Sequence, residues 1–230
     1  MKIPALDAIK NAARANTPKP IGEYRYYSVL LPLVFHGGAL HVLYELRSPD
    51  LDVQPGEVSF PGGAIEAGET PRDAALRETV EELGISADGV EIVGELDYLI
   101  TYSNFTLYCF LGVLDADALA KAVPSAAEVA EYFLVPLKWL IENEPEVYVN
   151  RVVPEPAKDL PFEKLSPRGD YNWRKGFSTV MIYTWPGQVT CEAAGAEMGE
   201  AADKAPGGTR VIWGLTARLT KSFVDLIRDV

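Results

Sequence analysis

Glu78, Glu81 and Glu82 stand at i, i+3 and i+4, so on a helix they share one face. Leu76, Val80 and Leu83 then fall on the opposite face and are expected to bury against a sheet. Like charges held this close repel one another, by about 0.2–0.5 kcal/mol per exposed pair. A hard divalent cation with oxygen ligands relieves that repulsion. Arg77 is placed to pair with one of the acids and fix its rotamer. Taken alone, Arg-Glu-x-x-Glu-Glu more often describes a solvated helix face than a site.

The wider spacing reverses that weighting. Gly63, Glu69, Arg77, Glu78, Glu81, Glu82 and Gly84 occupy every fixed position of G-x5-E-x7-R-E-U-x-E-E-x-G-U, where U is apolar. At average residue usage such a match arises by chance far less than about once in a million starts. Ile85 fills the last apolar position, and Thr79 stands where an apolar residue is usual. The segment resembles the Nudix box, and the chain is similar to the Nudix hydrolases.

That resemblance implies an α/β fold, an α/β/α sandwich with a mixed β-sheet and a loop–helix–loop metal site. The implied reaction cleaves a nucleoside diphosphate linked to another group. By matching positions, Glu78 and Glu82 are the principal Mg2+ or Mn2+ ligands, Glu81 is a further ligand, and the Gly63 carbonyl faces the metal. Glu69 is a support, Arg77 an orienting partner, and Glu81, Glu82 and Arg77 belong to the catalytic set. Pyrophosphate hydrolysis needs charge neutralised on phosphoryl oxygens and an activated water, which metal ions supply. Gly62 and Gly63 leave room for close approach to the phosphates. The family's base often lies outside the box. Glu128 and Glu131 are the candidates, because 125–136 is an acidic stretch running into a strand; the plainer reading makes both solvent-facing.

Upstream, Leu43, Arg47, Ser48, Gly56, Phe60, Pro61, Gly62 and Gly63 fit the signature of the coenzyme A pyrophosphatase branch, L-L-T-x-R-[SA]-x3-R-x3-G-x3-F-P-G-G. The segments 128–137 and 212–218 also look like that branch. Arg47, Phe60, Gly62 and Gly63 are the substrate-binding residues so implied, with coenzyme A or an acyl-CoA as substrate and adenosine 3′,5′-bisphosphate and 4′-phosphopantetheine as products. ADP-ribose or a dinucleotide is the alternative substrate, and a nucleotide-sensing module without turnover ranks below both. Tyr44 and Glu45 replace the Leu-Thr pair, and Asp52 stands at the second arginine. If that arginine contacts a phosphate, its replacement by a carboxylate weakens binding. Lys138, Arg151, Arg174, Lys175 and Arg218 are further anion-binding candidates, more simply read as surface charge. Tyr102, Phe105 and Trp173 could stack on adenine, although aromatics beside strands usually pack in a core.

Composition agrees with this picture. The chain has 230 residues, 48% apolar and 23% charged, with 21 Lys+Arg against 33 Asp+Glu and a net charge of −12. No basic block marks a nucleic-acid binder. An anionic small substrate remains compatible, provided a divalent cation supplies positive charge. No apolar run approaches the roughly 20 residues of a membrane span, and Asp7 and Lys10 interrupt any leader-like stretch. Cys109 and Cys191 form neither a disulfide framework nor a zinc spacing, which fits a cytoplasmic, reducing compartment. Cys109 lies in an apolar strand pattern and is expected to be an inert buried thiol. The expected partner is a small nucleotide-diphosphate substrate, without nucleic acid or membrane, and homodimer formation is left open.

The elements that must position these residues are partly legible. Residues 4–15 read as an amphipathic helix with Leu6, Ile9 and Ala13 on one stripe. The runs 27–35 and 40–46, separated by Gly37-Gly38, predict a hairpin. Thr70 as N-cap, Pro71 at the first position, Asp73 in a capping-box variant and Gly84 as C-cap predict a helix over 70–83. Strands are expected at 57–60, 90–93, 96–101, 106–114, 129–135 and 179–185. Helices are expected at 137–144 and 213–227, the last with a stripe of Leu215, Leu219, Phe223, Leu226 and Ile227. Residues 153–172 look irregular. The whole, 1–230, reads as a single Nudix domain, with 1–20 as an N-terminal helix extension, 186–209 as a flexible insertion and 211–230 as a C-terminal helix.

Overall fold

The computed structural model describes residues 4–166, 171, 173–187, 209–228 and 230. The chain begins with α1 (Leu6–Ala15), then the strands β1 (Arg25–His36), β2 (Ala39–Arg47), β3 (Val58–Ser59) and β4 (Gly62–Ala64). The helix α2 (Pro71–Leu83) leads to β5 (Val90–Glu95), β6 (Leu99–Ile100) and β7 (Phe105–Leu114). After α3 (Ala116–Leu119) come β8 (Val129–Pro136), α4 (Leu137–Glu142) and β9 (Glu146–Val152). The chain ends with α5 (Phe162–Leu165), β10 (Gly176–Trp185), β11 (Arg210–Trp213) and α6 (Gly214–Ile227).

The main sheet is mixed. Its path runs β3-β2-β1-β7-β5, with β4 paired to β1, β6 to β7 and β8 to β2. β1 and β2 form the expected antiparallel hairpin, His36 opposite Ala39, while β1 and β7 run parallel over ten residue pairs. Two cores flank this sheet. On one face, Leu30, Val34, Leu43, Phe110 and Leu134 pack with Ala75 and Leu83 of α2. On the other, Leu31, Val42, Tyr44, Phe133 and Val135 pack with Leu219, Phe223 and Val224 of α6. That second layer also contains Tyr183, Trp185 and Ile212, from a separate three-stranded sheet ordered β11-β10-β9. The α/β/α arrangement with a mixed sheet is thus present, with a small sheet added to one outer layer.

Several local expectations need correction. α1 forms, but none of its residues is buried, and Leu6 and Ile9 are exposed, so its apolar stripe has no partner among the described residues. β9 lies between the expected helix at 137–144 and the expected irregular stretch at 153–172, where no element was expected, because its seven residues are almost all exposed and carry no burial pattern to read. In α6, Leu226 is 63% exposed, whereas Ala217, Thr220 and Val224 join the buried face. The buried face thus combines Leu219 and Phe223 with the smaller Ala217, Thr220 and Val224. Residues 188–208 of the expected insertion, with Cys191, lie outside the described residues.

Candidate functional site

α2 starts as its sequence requires. The Thr70 hydroxyl accepts the Asp73 backbone N–H at 3.2 Å, and Pro71 takes the first position. The capping box is not reciprocal, however: Asp73 accepts the Thr70 hydroxyl at 2.6 Å instead of reaching the Thr70 backbone N–H. At the other end Gly84 adopts φ 62, and a Cβ there would lie 2.0 Å from the Val123 carbonyl oxygen. That position needs glycine both for its left-handed backbone and for the close passage of the loop after α3.

The buried stripe of α2 is Ala74, Ala75, Thr79 and Leu83, with Glu82. Leu76 and Val80 are only half-buried, so the inward face is turned from the expected one. Thr79 explains its own departure from the apolar rule: it is wholly buried, and its hydroxyl donates to the Ala75 carbonyl at 2.7 Å. A β-branched residue of that size fills the site while its polar atom is satisfied within the helix. A fully buried leucine such as Leu83 contributes roughly 1.5–3 kcal/mol, which holds the helix while its other face carries charge.

The strand β4 brings the glycines to that helix. Ser28 pairs with Gly63 and Val29 with Gly62, and the Ser28 hydroxyl donates to the Pro71 carbonyl at 2.6 Å. A Cβ on Gly63 would sit 2.3 Å from a Glu78 carboxylate oxygen, and one on Gly62 would sit 2.3 Å from the Ser28 carbonyl oxygen. At Gly62 the obstacle is backbone and excludes any side chain, whereas at Gly63 the Glu78 carboxylate would have to move. The Gly62 N–H donates to Glu82 Oε2 at 2.7 Å.

Arg77 organises the outer carboxylates. Its Nε donates to Glu69 at 2.9 Å, its Nη1 to Glu78 at 2.8 Å and to Glu81 at 3.1 Å, and its Nη2 to the Ala64 carbonyl at 3.1 Å. One guanidinium therefore joins three acids to the glycine strand. Held this way, the described carboxylates do not already close into a cage of three or more ligands; Glu81, moreover, is exposed. The donor set nonetheless fits a hard cation: carboxylate oxygens next to a glycine backbone with no room for a Cβ.

The electrostatics divide the acids. Arg77 holds the Glu69 carboxyl below its ordinary value. Glu78 is pushed up, chiefly by burial and against the opposing pull of Arg77. Glu82, 4% exposed, is pushed up strongly by burial and then by the nearby charge of Glu45. Glu45, wholly buried, is itself pushed up by burial, with Glu128 and Glu78 adding to the effect. Glu45 is the residue that sequence reasoning did not place here. Its only signal was a carboxylate at a signature position where threonine is usual.

Of the two base candidates, Glu128 reaches this neighbourhood. The Ser48 N–H donates to the Glu128 carbonyl at 2.8 Å and the Ser125 N–H to the Glu82 carbonyl at 2.9 Å, so the loop is fastened to both β2 and α2. The Glu128 side chain is exposed, and its charge raises Glu45, Glu78 and Glu82. Glu131 is committed elsewhere, in an ion pair with the buried Arg210. Phe60 also needs correction. It is 2% exposed and stacks on Tyr44 at 5.0 Å between ring centroids, so it anchors the glycine loop from within the core and cannot touch a substrate. Arg47 is half-buried, with Nη2 on the Val53 carbonyl at 3.3 Å and a buried Nε without a hydrogen-bond partner.

Among the remaining anion-binding candidates, Lys138, Arg151, Arg174 and Lys175 are exposed and Arg218 is half-buried. Tyr102 is exposed, Phe105 meets Tyr27 edge-on at 5.4 Å, and Trp173 meets Tyr171 at 4.9 Å. Cys109 is buried and its thiol is pushed up to about 12 by that burial, as expected of an inert thiol. No helix among the described residues is long and apolar enough to cross a membrane.

Comparison with known proteins agrees with this geometry. Residues 32–153 match the model of the NUDIX domain. The chain is 35% identical over 151 residues to the peroxisomal coenzyme A diphosphatase NUDT7 of Mus musculus, covering 64% of this chain and 62% of that protein. It is 41% identical over 118 residues to Nudix hydrolase 3 of Caenorhabditis elegans, covering 50% and 49%. The chain thus spans between about half and three fifths of these relatives' lengths. Among solved structures, a C. elegans Ap4A hydrolase binary complex aligns with a TM-score of 0.42 at 21% identity, covering 50% of this chain and 83% of that one. With residues 32–153 matched and the whole box running from β4 through α2 to the turn after it, the chain belongs to the NUDIX domain family.

Proposed function

We propose that this chain hydrolyses the diphosphate linkage of a nucleoside diphosphate derivative, and that the substrate is coenzyme A or an acyl-CoA. The observation that carries the reading is the closed approach of the Gly62-Gly63 strand to Glu78 and Glu82, which leaves backbone and carboxylate oxygens with no side chain between them. The coenzyme A assignment is supported by the matched signature from Leu43 to Gly63 and by the likeness to a protein named a coenzyme A diphosphatase.

In this reading Glu78 and Glu82, with Glu81 and the Gly63 carbonyl, hold Mg2+ or Mn2+. When bound, the cation supplies charge neutralisation on the diphosphate and acidifies a water. Arg77 sets the positions of Glu78 and Glu81 through its fork of hydrogen bonds. Glu128, held by backbone bonds beside both β2 and α2, accepts the proton of the attacking water. The water oxygen bonds to one phosphorus, the P–O–P bond breaks, and the departing phosphate leaves as the second product. Arg47, whose Nε has no partner, is the cation of this chain assigned to a substrate phosphate. The reading takes 1–230 as one Nudix unit acting in the cytosol.

One observation favours a second substrate. Asp52 is exposed at the position of the signature's second arginine, and repels a phosphate arriving there. ADP-ribose or a dinucleotide is the alternative. Product analysis after incubation with Mg2+ or Mn2+ tests both. Adenosine 3′,5′-bisphosphate from coenzyme A, absent with Glu82→Gln, is the expected result, and Asp52→Arg should lower KM for coenzyme A. Turnover of ADP-ribose alone would replace the substrate and keep the chemistry. Tight metal-linked nucleotide binding without any product would make the chain a sensor, and undiminished turnover by Glu82→Gln would overturn the site.

A further inference from the structure

The strand β2 carries its side chains to alternate faces. Tyr44 and Leu46 go to the core shared with α6. Leu43 goes to the other face and packs with Ala75 and Leu83 of α2. Glu45, two residues on, shares that face, and its cross-strand neighbour Tyr132 belongs to the same α2-side core. The carboxylate therefore points from the sheet toward the glutamate-bearing helix.

Its surroundings leave it half satisfied. Glu45 is 0% exposed. The Ser59 hydroxyl donates to Oε1 at 3.1 Å, while Oε2 is buried without a hydrogen-bond partner among the described residues. Arg47 lies on the same face and its charge favours the ionised form, but no ion pair joins the two among the described residues. A buried carboxylate oxygen with no hydrogen-bond partner is rare in native proteins and calls for a functional explanation. The Glu45 charge raises Glu82, and Glu128 and Glu78 in turn raise Glu45. Carboxylates from α2, β2 and the loop before β8 thus act on one another electrostatically, and Glu45 shares the sheet face on which α2 packs.

We propose that Glu45 is a ligand of the divalent cation at this site, a sheet-borne carboxylate that adds to those on α2 and takes the cation through its unpartnered Oε2. The inference rests on the reading of the site as a metal centre given under Proposed function. It also gives a reason for the sequence departure. A threonine at this position offers only a neutral oxygen, whereas a carboxylate raises the ligand charge and with it the affinity for a hard cation before any substrate arrives. Ser59, fixing Oε1, is then the positioning residue that leaves Oε2 free to coordinate.

The test is Mn2+ binding to the full chain without substrate, followed by electron paramagnetic resonance, together with the shift in melting temperature that Mn2+ produces. Wild type, Glu45→Gln, Glu45→Thr and Glu82→Gln are compared. The threonine variant restores the residue of the branch signature and guards against misfolding of the glutamine variant. Both Glu45 variants should bind Mn2+ about tenfold or more weakly than wild type and show a smaller Mn2+-induced shift. If Glu82→Gln loses Mn2+ while both Glu45 variants bind as wild type does, Glu45 is only the structural partner of Ser59 and the inference is overturned, with the metal centre intact. If wild type itself binds no Mn2+, the metal centre fails and Glu45 fails with it.

Discussion

Two acidic regions of this molecule use the same residue types to opposite ends. On the outer side of α6, Lys221 pairs with Asp225 and Glu144, and Arg228 pairs with Glu144 and Asp225. Two cations meet two carboxylates at the surface, and Glu144 is held below its ordinary value first by Arg228 and then by Lys221. Around α2, among the described residues, Arg77 alone serves Glu69, Glu78 and Glu81, while Glu82 and Glu45 are buried with no cation bonded to either and are pushed up. The first region is a solvated network of the kind that contributes little. The second buries carboxyl groups without a bonded cation, so that they hold their protons above the ordinary carboxylate range, the kind of perturbation that clusters at functional sites.

The contrast can be broken by substitution. Glu82→Gln should reduce turnover by at least about 100-fold while leaving the fold intact, since a glutamine oxygen still accepts the Gly62 N–H; turnover near wild type in a steady-state assay would erase the distinction between the regions. Arg77→Ala should cost about 1–2 kcal/mol in metal-free chemical denaturation, the value for charge-assisted hydrogen bonds reduced for partial exposure. Mn2+ should recover part of that loss, because the cation replaces the guanidinium between the acids.

The pH dependence should run in opposite directions in the two regions. Glu82 and Glu45 are raised above 4.5, so the folded metal-free protein binds more protons there than the unfolded chain. Their favourable contribution is present below the unfolded value and is lost as pH rises through the raised ones. Urea midpoints of metal-free protein between about pH 5 and 8 should show this fall, and Glu82→Gln should flatten it; an unchanged slope would place the carboxylate in water. Glu144 is lowered from 4.5, so its contribution is present above that value and is lost as pH falls through the folded one. The smallest effect is expected from Arg228→Ala, a change in melting temperature below that of Arg77→Ala; a larger one would make the surface network the more important of the two.

The helix and its site were legible to different depths. The caps at Thr70 and Gly84 and the spacing of Glu78, Glu81 and Glu82 are local, so spacing alone located α2 and the face its acids share. The hairpin at Gly37-Gly38 was legible for the same reason. Which side of α2 goes inward was not: Ala75 and Thr79 are buried where Leu76 and Val80 were expected, because the sheet that packs on the helix, not its own period, selects the face. Glu128 and Glu131 are three residues apart and indistinguishable as letters. Arg210, far along the chain, claims Glu131, and the Ser48 N–H brings the Glu128 backbone to the site.

By itself the sequence determined the family, the helix and the set of acids on it, because these depend on periods and spacings within a few turns of chain. The tertiary structure decided that Phe60 belongs to the core, that β9 is a strand, and that Glu45 lies buried on the sheet face toward α2. Each of those depends on what a distant strand or helix places opposite the residue, and burial, which sets the energy of a charge, is a property of that pairing and not of the residue's place in the chain.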